Sequence, residues 1–135
     1  MTPIKILINV LDDERIWQDL IISQLSGNYD ILAYTTFSDF IAHFTPSVDL
    51  VIMDVRLKDG TDVADRIKSI YDISPNCYII IVSAFLDVPL LQELIRLRVN
   101  DTVQKGSNWI SELGDAVNAL SDKLQARSEM KGSFK

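Results

Sequence analysis

The feature that most constrains the fold is an alternation of short apolar runs with segments of helical periodicity. Five runs of strand length recur along the chain, at Ile4–Leu11, Ile31–Tyr34, Leu50–Met53, Tyr78–Val82 and, more weakly, Thr102–Gln104. The first run is nearly continuous, as expected of a strand that is buried on both faces. Strand and helix patterns that alternate in this way predict an α/β fold, a doubly wound five-stranded parallel sheet with helices on both faces.

The helices between these strands are predicted from periodicity and from residues that favour helix ends. Periodicity predicts a first helix over Asp13–Leu25. The other four are expected to begin at N-cap residues, which are Ser38, Thr61, Asp87 and Ser107. The helix capped by Ser38 runs through Phe44, and the helix capped by Asp87 has Pro89 in its first turn and runs through Arg98. Pro46 ends the second helix, because a residue before proline avoids helical geometry.

Length and charge exclude several classes of protein. The 135 residues indicate one domain, residues 1–128, followed by a mostly polar tail, residues 129–135, that is expected to fray. A net charge of −6 argues against a nucleic-acid surface, which needs clustered Lys and Arg. No run approaches the roughly 20 apolar residues that cross a bilayer, and the N-terminus lacks signal-peptide features, so a soluble, cytoplasmic protein is expected.

Zinc chemistry and Ser-His or Cys-His catalysis are also disfavoured, because the chain holds one histidine and one cysteine. His43 lies among apolar residues of a predicted helix, where a partly buried structural role is expected. Cys77 lies at the start of the fourth strand and is expected to be a small hydrophobe.

Carboxylates follow two of the predicted strands. Asp12 and Asp13 come after the first apolar run, and Asp54 comes directly after Leu50–Met53. Ligands bind open α/β sheets at the carboxyl ends of the strands, so these side chains are expected to converge. Three carboxylates in one site repel each other, and a hard divalent cation such as Mg²⁺ relieves the repulsion. The alternative for Asp12 or Asp13 is a cap of the first helix.

Two further polar residues follow the fourth and fifth strands. Lys105 comes after Thr102–Gln104, where it is either a solvated strand end or a counter-charge for the carboxylates and for an incoming phosphoryl oxygen. Ser83 follows Tyr78–Val82 and, taken alone, is an ordinary turn or cap residue. Near a phosphorylated Asp54, its hydroxyl could donate to a phosphate oxygen.

The order Asp12-Asp13, Asp54, Ser83 and Lys105, together with the segment Asp54–Gly60, resembles the receiver domain of two-component response regulators, the CheY-like family. The resemblance covers about residues 4–125 and implies a flavodoxin-like (βα)5 fold. It also implies that Asp54 takes a phosphoryl group from a phosphohistidine on a sensor histidine kinase or a phosphotransfer protein. Such a domain would be no enzyme, apart from assisting its own phosphorylation and dephosphorylation.

The resemblance further implies roles for the surrounding residues. Mg²⁺ would be held by Asp13, Asp54 and the backbone carbonyl of Arg56, with help from Asp12. Ser83 would contact the phosphate, and Lys105 would neutralise its charge. The phosphoryl group would then bias a two-state surface.

Three positions depart from the pattern of the family. Gly106 follows Lys105, where the family usually has Pro, and Thr102 occupies the place of an aromatic residue that reports phosphorylation. Asn9 interrupts the first strand where an apolar residue is expected. Thr102 and Gly106 favour a second hypothesis, an interaction module with the receiver fold that signals without phosphorylation.

A third hypothesis is a small phosphatase acting through an aspartyl-phosphate. That chemistry usually needs a second acid two residues after the nucleophile, where this chain has Arg56. In the receiver family, helix 4, strand 5 and helix 5 often form the dimer or output surface. The predicted fourth helix is unusually apolar, with Leu90, Leu91, Leu94, Ile95 and Leu97. Its four leucines cover more than one buried stripe needs, so some of them are expected to be exposed in a homodimer or partner contact.

Overall fold

The five predicted strands form one parallel sheet in the computed structural model, which describes residues 5–133. The strands are β1 (Leu7–Leu11), β2 (Asp30–Tyr34), β3 (Leu50–Asp54), β4 (Tyr78–Ser83) and β5 (Asp101–Gln104). Their order in the sheet is β2-β1-β3-β4-β5. Because the chain moves outward from β1 to β2 and then returns to β3, a crevice opens between the carboxyl ends of β1 and β3.

Five helices cover the two faces of this sheet. They are α1 (Arg15–Leu25), α2 (Phe37–His43), α3 (Val63–Ile73), α4 (Val88–Arg96) and α5 (Trp109–Ser133). One apolar core joins α1 and α5 to one face of the sheet, and a second core joins α2, α3 and α4 to the other. The doubly wound α/β fold predicted from the alternation is therefore confirmed.

The start of α4 follows the sequence prediction. The Asp87 side chain accepts a hydrogen bond from the Leu90 amide at 2.9 Å, and Pro89 lies in the first turn. The end of this helix differs from the prediction. The helix stops at Arg96, and Arg98 has a φ of +66°, a left-handed conformation that cannot continue a helix.

Three other predicted helix starts were wrong by one or two residues. The residues before the first turns are Thr36, Asp62 and Asn108, where the sequence indicated Ser38, Thr61 and Ser107. Thr36 and Asp62 each accept a hydrogen bond from the amide three residues later, as N-caps do. At the other end, α5 continues through Ser133, so residues 129–133 of the expected tail are helical, and residues 134 and 135 lie outside the described part of the chain.

Asn9 is a buried polar residue whose side chain makes no hydrogen bond within the described residues. Asn9 is 1 % exposed on β1, and neither its amide nitrogen nor its amide oxygen has a hydrogen-bond partner among the described residues. Its neighbours across the sheet are Leu32 and Val51. A buried amide without partners costs stability, because it gives up its hydrogen bonds to water.

Within residues 5–133, none of the helices has the length and apolar character needed to cross a membrane.

Candidate functional site

The two predicted carboxylates of β1 and β3 lie at the crevice between these neighbouring strands. Asp12 directly follows β1, and Asp54 is the last residue of β3. The strands pair in parallel with Leu11 opposite Met53, so the next residue on each strand falls at the same edge of the sheet. The side chain of Asp12 is 3 % exposed and that of Asp54 is 13 % exposed.

Lys105 joins these two carboxylates. Its Nζ lies 2.9 Å from Asp54 Oδ2 and 3.1 Å from Asp12 Oδ2, and its side chain is only 7 % exposed. The backbone brings it there because Lys105 directly follows β5 and its amide donates to the Ser83 carbonyl at 2.8 Å. The structure thus places Lys105 as a counter-charge in the crevice and not as a solvated strand end.

Burial and charge act against each other in this group. Burial alone would lower the pKa of the Lys105 ammonium, but the hydrogen bonds and charges of Asp54 and Asp12 outweigh it and raise that pKa. Burial raises the pKa of Asp12, and this effect exceeds the lowering by the Glu14 amide and by Lys105. At neutral pH the ammonium therefore stays charged, while the ionised form of Asp12 is disfavoured by its surroundings.

Two tryptophans stand beside the ammonium group. Lys105 Nζ lies 4.8 Å from the ring centroid of Trp17 on α1 and 5.9 Å from that of Trp109 on α5. The two rings meet edge to face, with centroids 5.6 Å apart. A cation over an aromatic face is attracted to it, most strongly where water is excluded. The sequence indicated only that these tryptophans lie on helices, because their contact with Lys105 depends on the packing of α1 against α5.

The remaining carboxylate oxygens accept backbone hydrogen bonds. Asp12 Oδ1 accepts from the Glu14 amide at 2.9 Å, and Asp13 Oδ2 accepts from the Lys58 amide at 2.6 Å. Gln18 fixes the end of β1 by donating to the Asp12 carbonyl at 2.6 Å. The residue before the first turn of α1 is Glu14, so neither Asp12 nor Asp13 is the N-cap of that helix.

The donor set suits a hard divalent cation in its chemistry. Three carboxylates and the backbone carbonyl of Arg56 are all oxygen ligands, and one ammonium leaves the crevice with excess negative charge. In the described residues, however, no three acidic, His or Cys side chains are placed so that they could hold a metal ion. Asp13 is turned toward the Lys58 amide, and Lys105 bridges the other two carboxylates. The magnesium ligands named from the sequence therefore stay a prediction.

Ser83 is buried at the end of β4 and makes local contacts. Its hydroxyl lies 3.2 Å from the Phe85 carbonyl oxygen, to which it donates, and 3.4 Å from the Phe85 amide nitrogen. These contacts match the turn role that the residue type suggests on its own. The contact between Ser83 and a phosphate that the resemblance implies stays a prediction.

A cavity of about 530 Å³ opens onto this edge of the sheet. Its walls include Asp54 and Lys105, and also Asp13, Trp17, Arg56 and Ala84. The cavity admits a small polar group to Asp54 from solvent. The carboxylate of Asp54 is thus reachable, while its charge is held in place by Lys105 and by the Arg56 amide, which donates to Oδ1 at 3.1 Å.

A buried arginine beneath Asp54 was missed by the sequence analysis. Arg66 lies on α3 with 0 % exposure, and its guanidinium donates to the Asp54 carbonyl at 2.8 Å and to the Val55 carbonyl. An arginine in an amphipathic helix normally indicates a solvated face, so the sequence held no signal for this contact. Arg66 is buried because the loop after β3 passes over it and supplies its hydrogen-bond acceptors.

The two residues that were predicted to have structural roles differ in outcome. Cys77 is 4 % exposed in the core, and burial raises the pKa of its thiol to about 12, as a small inert hydrophobe should behave. His43 is exposed, which corrects the expected partial burial. Its ring stacks on Tyr34 with centroids 5.8 Å apart, and its Nδ1 lies 2.8 Å from the Asp39 carbonyl oxygen.

The apolar residues of α4 divide between core and surface. Leu94 is fully buried, whereas Ile95 is 73 % exposed and Val88, at the start of the helix, is 65 % exposed. The other three leucines of the predicted set are half-buried. None of the four leucines is exposed, so the expectation of exposed leucines was wrong, and the exposed apolar side chains of this helix are Ile95 and Val88.

Comparison with known proteins points to one family. A family model described as the response regulator receiver domain matches residues 8–118. A search of curated protein sequences finds no match.

Solved structures with the same fold include the signal receiver domain of a protein named as a Luxo repressor from Vibrio parahaemolyticus. That structure superposes with a TM-score of 0.82 at 22 % identity, over 94 % of this chain and 98 % of the other. A CheY-like receiver domain protein from Methanospirillum hungatei gives 0.79 at 16 % identity, over 93 % and 99 %. The response regulator DrrB from Thermotoga maritima gives 0.80 at 18 %, over 90 % of this chain and 55 % of that one.

Proposed function

The chain belongs to the response regulator receiver domain family, and from this premise we propose that it is a phosphoacceptor whose acceptor is Asp54. The observation that carries the proposal is the arrangement at the crevice. A reachable carboxylate is held 2.9 Å from a buried ammonium, beside a second buried carboxylate, at the end of a cavity open to solvent. Asp54 is thus both paired with a positive charge and open to a small molecule from solvent.

The proposed step is transfer of a phosphoryl group from a phosphohistidine. An Asp54 carboxylate oxygen attacks phosphorus, a new P–O bond forms and the P–N bond to imidazole breaks. The imidazole nitrogen leaves with the electron pair and is protonated. Phosphoryl transfer needs little covalent help from a protein, so positioning and electrostatics account for most of the catalysis.

Lys105 would stabilise the charge of the product. Phosphorylation converts a singly charged carboxylate into an acyl phosphate with more negative charge, and the ammonium is already within hydrogen-bond distance of Asp54. The Lys105 side chain is only 7 % exposed, and a charge interaction shielded from water is stronger than one at an exposed surface. Ser83 would add a hydroxyl donor to a phosphate oxygen after its loop moves away from the Phe85 backbone.

The residues also fit a Mg²⁺ ion by the chemistry of their donors. Asp12, Asp13, Asp54 and the Arg56 carbonyl would hold it, and when bound it would offset negative charge on the phosphoryl oxygens. For this, Asp13 must release the Lys58 amide and Lys105 must withdraw from one carboxylate. Binding of Mg²⁺ is therefore expected to be linked to a rearrangement of both side chains.

The partners follow from this chemistry. The phosphodonor would be a sensor histidine kinase or a phosphotransfer protein, and the domain would act in the cytoplasm. The chain would turn over no external substrate and would assist only its own phosphorylation and dephosphorylation. The output surface would be α4, β5 and α5, where Ile95 and Val88 are exposed. Light scattering that shows a monomer at high concentration, with and without phosphorylation, would argue against a homodimer on this surface.

A second candidate is an interaction module that keeps the receiver fold and signals without phosphorylation. Two observations favour it. Asp13 is turned toward Lys58, and Thr102 on β5 stands where the family's reporting aromatic is expected. Under this hypothesis a binding partner would recognise the chain equally well with Asp54 or with Asn at that position.

Phosphorylation kinetics separate the two candidates. The protein is incubated with acetyl phosphate and Mg²⁺, and incorporation is followed for the native chain, Asp54→Asn and Lys105→Met. The proposal expects incorporation in the native chain, none in Asp54→Asn, and slower incorporation in Lys105→Met. Equal incorporation in the native chain and Lys105→Met would remove Lys105 from the account.

A further inference from the structure

Arg66 is the only arginine or lysine among the fully buried side chains of the described residues. It lies on the face of α3 that also carries Val63, Ile67 and Ile70, all of which belong to the apolar core. A charged side chain is rarely buried in this way unless its charge is compensated and its hydrogen bonds are made. Its contacts therefore identify what the charge is used for.

All the acceptors of Arg66 belong to one loop. The guanidinium donates to the Asp54 carbonyl at 2.8 Å and to the Val55 carbonyl, where that loop leaves β3. A weaker contact of 3.4 Å reaches the Thr61 carbonyl, where the loop approaches α3. One planar side chain thus ties the beginning of the loop to its end.

No carboxylate lies within ion-pair distance of Arg66 in residues 5–133. Burial lowers the pKa of its guanidinium, and the more distant charges of Asp59, Asp54 and Asp62 oppose that effect. The Nε atom has no hydrogen-bond partner in the same part of the chain. With no carboxylate to pair with, the guanidinium is held in the interior by its hydrogen bonds to the carbonyls of the loop.

The loop that Arg66 ties down carries the groups of the proposed reaction. Asp54 Oδ1 accepts from the Arg56 amide, and the Arg56 carbonyl is the backbone ligand proposed for Mg²⁺. Farther along, Leu57 packs into the apolar core, and the loop's side-chain hydrogen bonds are made by exposed groups, such as Asp59 Oδ2 with the Phe37 amide at 2.8 Å. Arg66 supplies hydrogen bonds to the loop from the interior, at the acceptor itself.

We propose that Arg66 is a positioning residue for phosphoryl transfer, whose guanidinium fixes the backbone of Asp54 and Val55 and so aims both the acceptor carboxylate and the Arg56 carbonyl. The inference rests on the proposed phosphoacceptor function. Arg66 would support the site from the protein interior, by holding the backbone that carries the acceptor. Groups that orient metal ligands from behind commonly change metal affinity by about 10- to 100-fold when they are removed.

Three variants test the proposal. Arg66→Met keeps the length and removes every donor, and Arg66→Lys keeps the charge with fewer donors. Ile70→Ala is the matched control, since Ile70 is fully buried four residues farther along α3 in the same apolar core but has an apolar side chain that makes no hydrogen bond to the loop. Thermal unfolding of all three variants gives the loss of global stability against which the other measurements are compared.

The first two measurements do not depend on phosphorylation. Hydrogen exchange of the amides in residues 54–61 is expected to accelerate by about 10-fold or more in Arg66→Met, while that of β1 changes little. Calorimetric titration with Mg²⁺ is expected to show a dissociation constant roughly 10- to 100-fold higher. Ile70→Ala is expected to lower the melting temperature without either selective change.

The third measurement is the rate of phosphorylation by acetyl phosphate at saturating Mg²⁺. Misplacement of the acceptor is expected to slow it by about 10- to 100-fold in Arg66→Met, with part of the rate recovered in Arg66→Lys. Loop exchange and Mg²⁺ affinity within about twofold of the native chain in Arg66→Met would overturn the proposal. So would equal losses in Ile70→Ala.

Two further outcomes are also decisive. If Arg66→Met does not fold, Arg66→Lys decides, and native values for its loop exchange and Mg²⁺ affinity would refute the positioning role. If the native chain itself is not phosphorylated, the proposed function fails. The loop exchange and Mg²⁺ titrations still judge Arg66 in that case.

Discussion

Replacing Asn9 with Leu is expected to stabilise the protein. Asn9 is 1 % exposed, and both polar atoms of its side chain lack partners in the described residues. Leucine has nearly the same branching as asparagine and puts methyl groups where the unpaired nitrogen and oxygen lie. The substitution therefore removes a desolvation cost and adds apolar contacts to the core beside Val51.

The magnitude follows from these two terms. Burying an amide without hydrogen bonds costs about 1–3 kcal/mol in proteins. Burying a leucine side chain contributes about 1.5–3 kcal/mol, but its larger volume at a packed site takes back about 1–3 kcal/mol. The net expectation is a gain of about 2 kcal/mol in the free energy of unfolding. For a domain of this size the melting temperature then rises by roughly 6–10 °C.

Urea unfolding followed by circular dichroism measures the change, with Asn100→Leu as a matched control. Asn100 carries the same side chain, but its Oδ1 accepts from the Ile79 amide at 2.8 Å. The identical substitution at this position should cost about 1 kcal/mol, because it leaves that amide without its acceptor. If Asn9→Leu destabilises the protein as Asn100→Leu does, the reasoning about an unpaired amide is refuted.

Three further predictions concern charge and backbone conformation. Burial raises the pKa values of Cys77 and Tyr71 to about 12, while the unfolded chain loses these protons near pH 9 and 10. The free energy of unfolding should therefore fall above about pH 9, by up to about 1.4 kcal/mol per pH unit for each of the two groups. The melting temperatures of Cys77→Ala and Tyr71→Phe should each fall less steeply with rising pH than that of the native chain. Arg98→Gly should stabilise by about 0.5–1 kcal/mol in urea unfolding, since Arg98 has a φ of +66°, and a loss would refute this. Lys105→Met should cost about 3 kcal/mol at pH 7, because it leaves the buried Asp12 carboxylate without its counter-charge. Burial raises the pKa of Asp12, so this deficit should shrink in acid as Asp12 takes up a proton, and a deficit independent of pH would contradict the pairing.

The sheet and the convergence of the acceptor region were predictable because they depend on patterns that a sequence carries directly. Apolar runs of strand length, separated by helical periodicity, leave few topologies for a parallel sheet. Once the strands are parallel, residues that directly follow them must meet at one edge. The sequence therefore predicts that Asp12, Asp54 and Lys105 lie together, and the structure joins them through the ammonium of Lys105.

The rest depends on contacts between distant segments. Caps were misplaced by one or two residues because Thr36 and Ser38, or Thr61 and Asp62, suit that role almost equally. The choice is made where tertiary contacts fix the chain, as when Asp59 accepts from the Phe37 amide. Arg66 was invisible for the same reason. Its acceptors are backbone carbonyls, which every residue has, so only the path of the loop could reveal them.

The measurement that tests the central claim most directly is the intact mass of the protein after incubation with acetyl phosphate and Mg²⁺, with Asp54→Asn treated in parallel. The account predicts a gain of one phosphoryl group in the native chain and no gain in the variant. No gain in the native chain, or an equal gain in Asp54→Asn, would contradict the assignment of Asp54 as the phosphoacceptor.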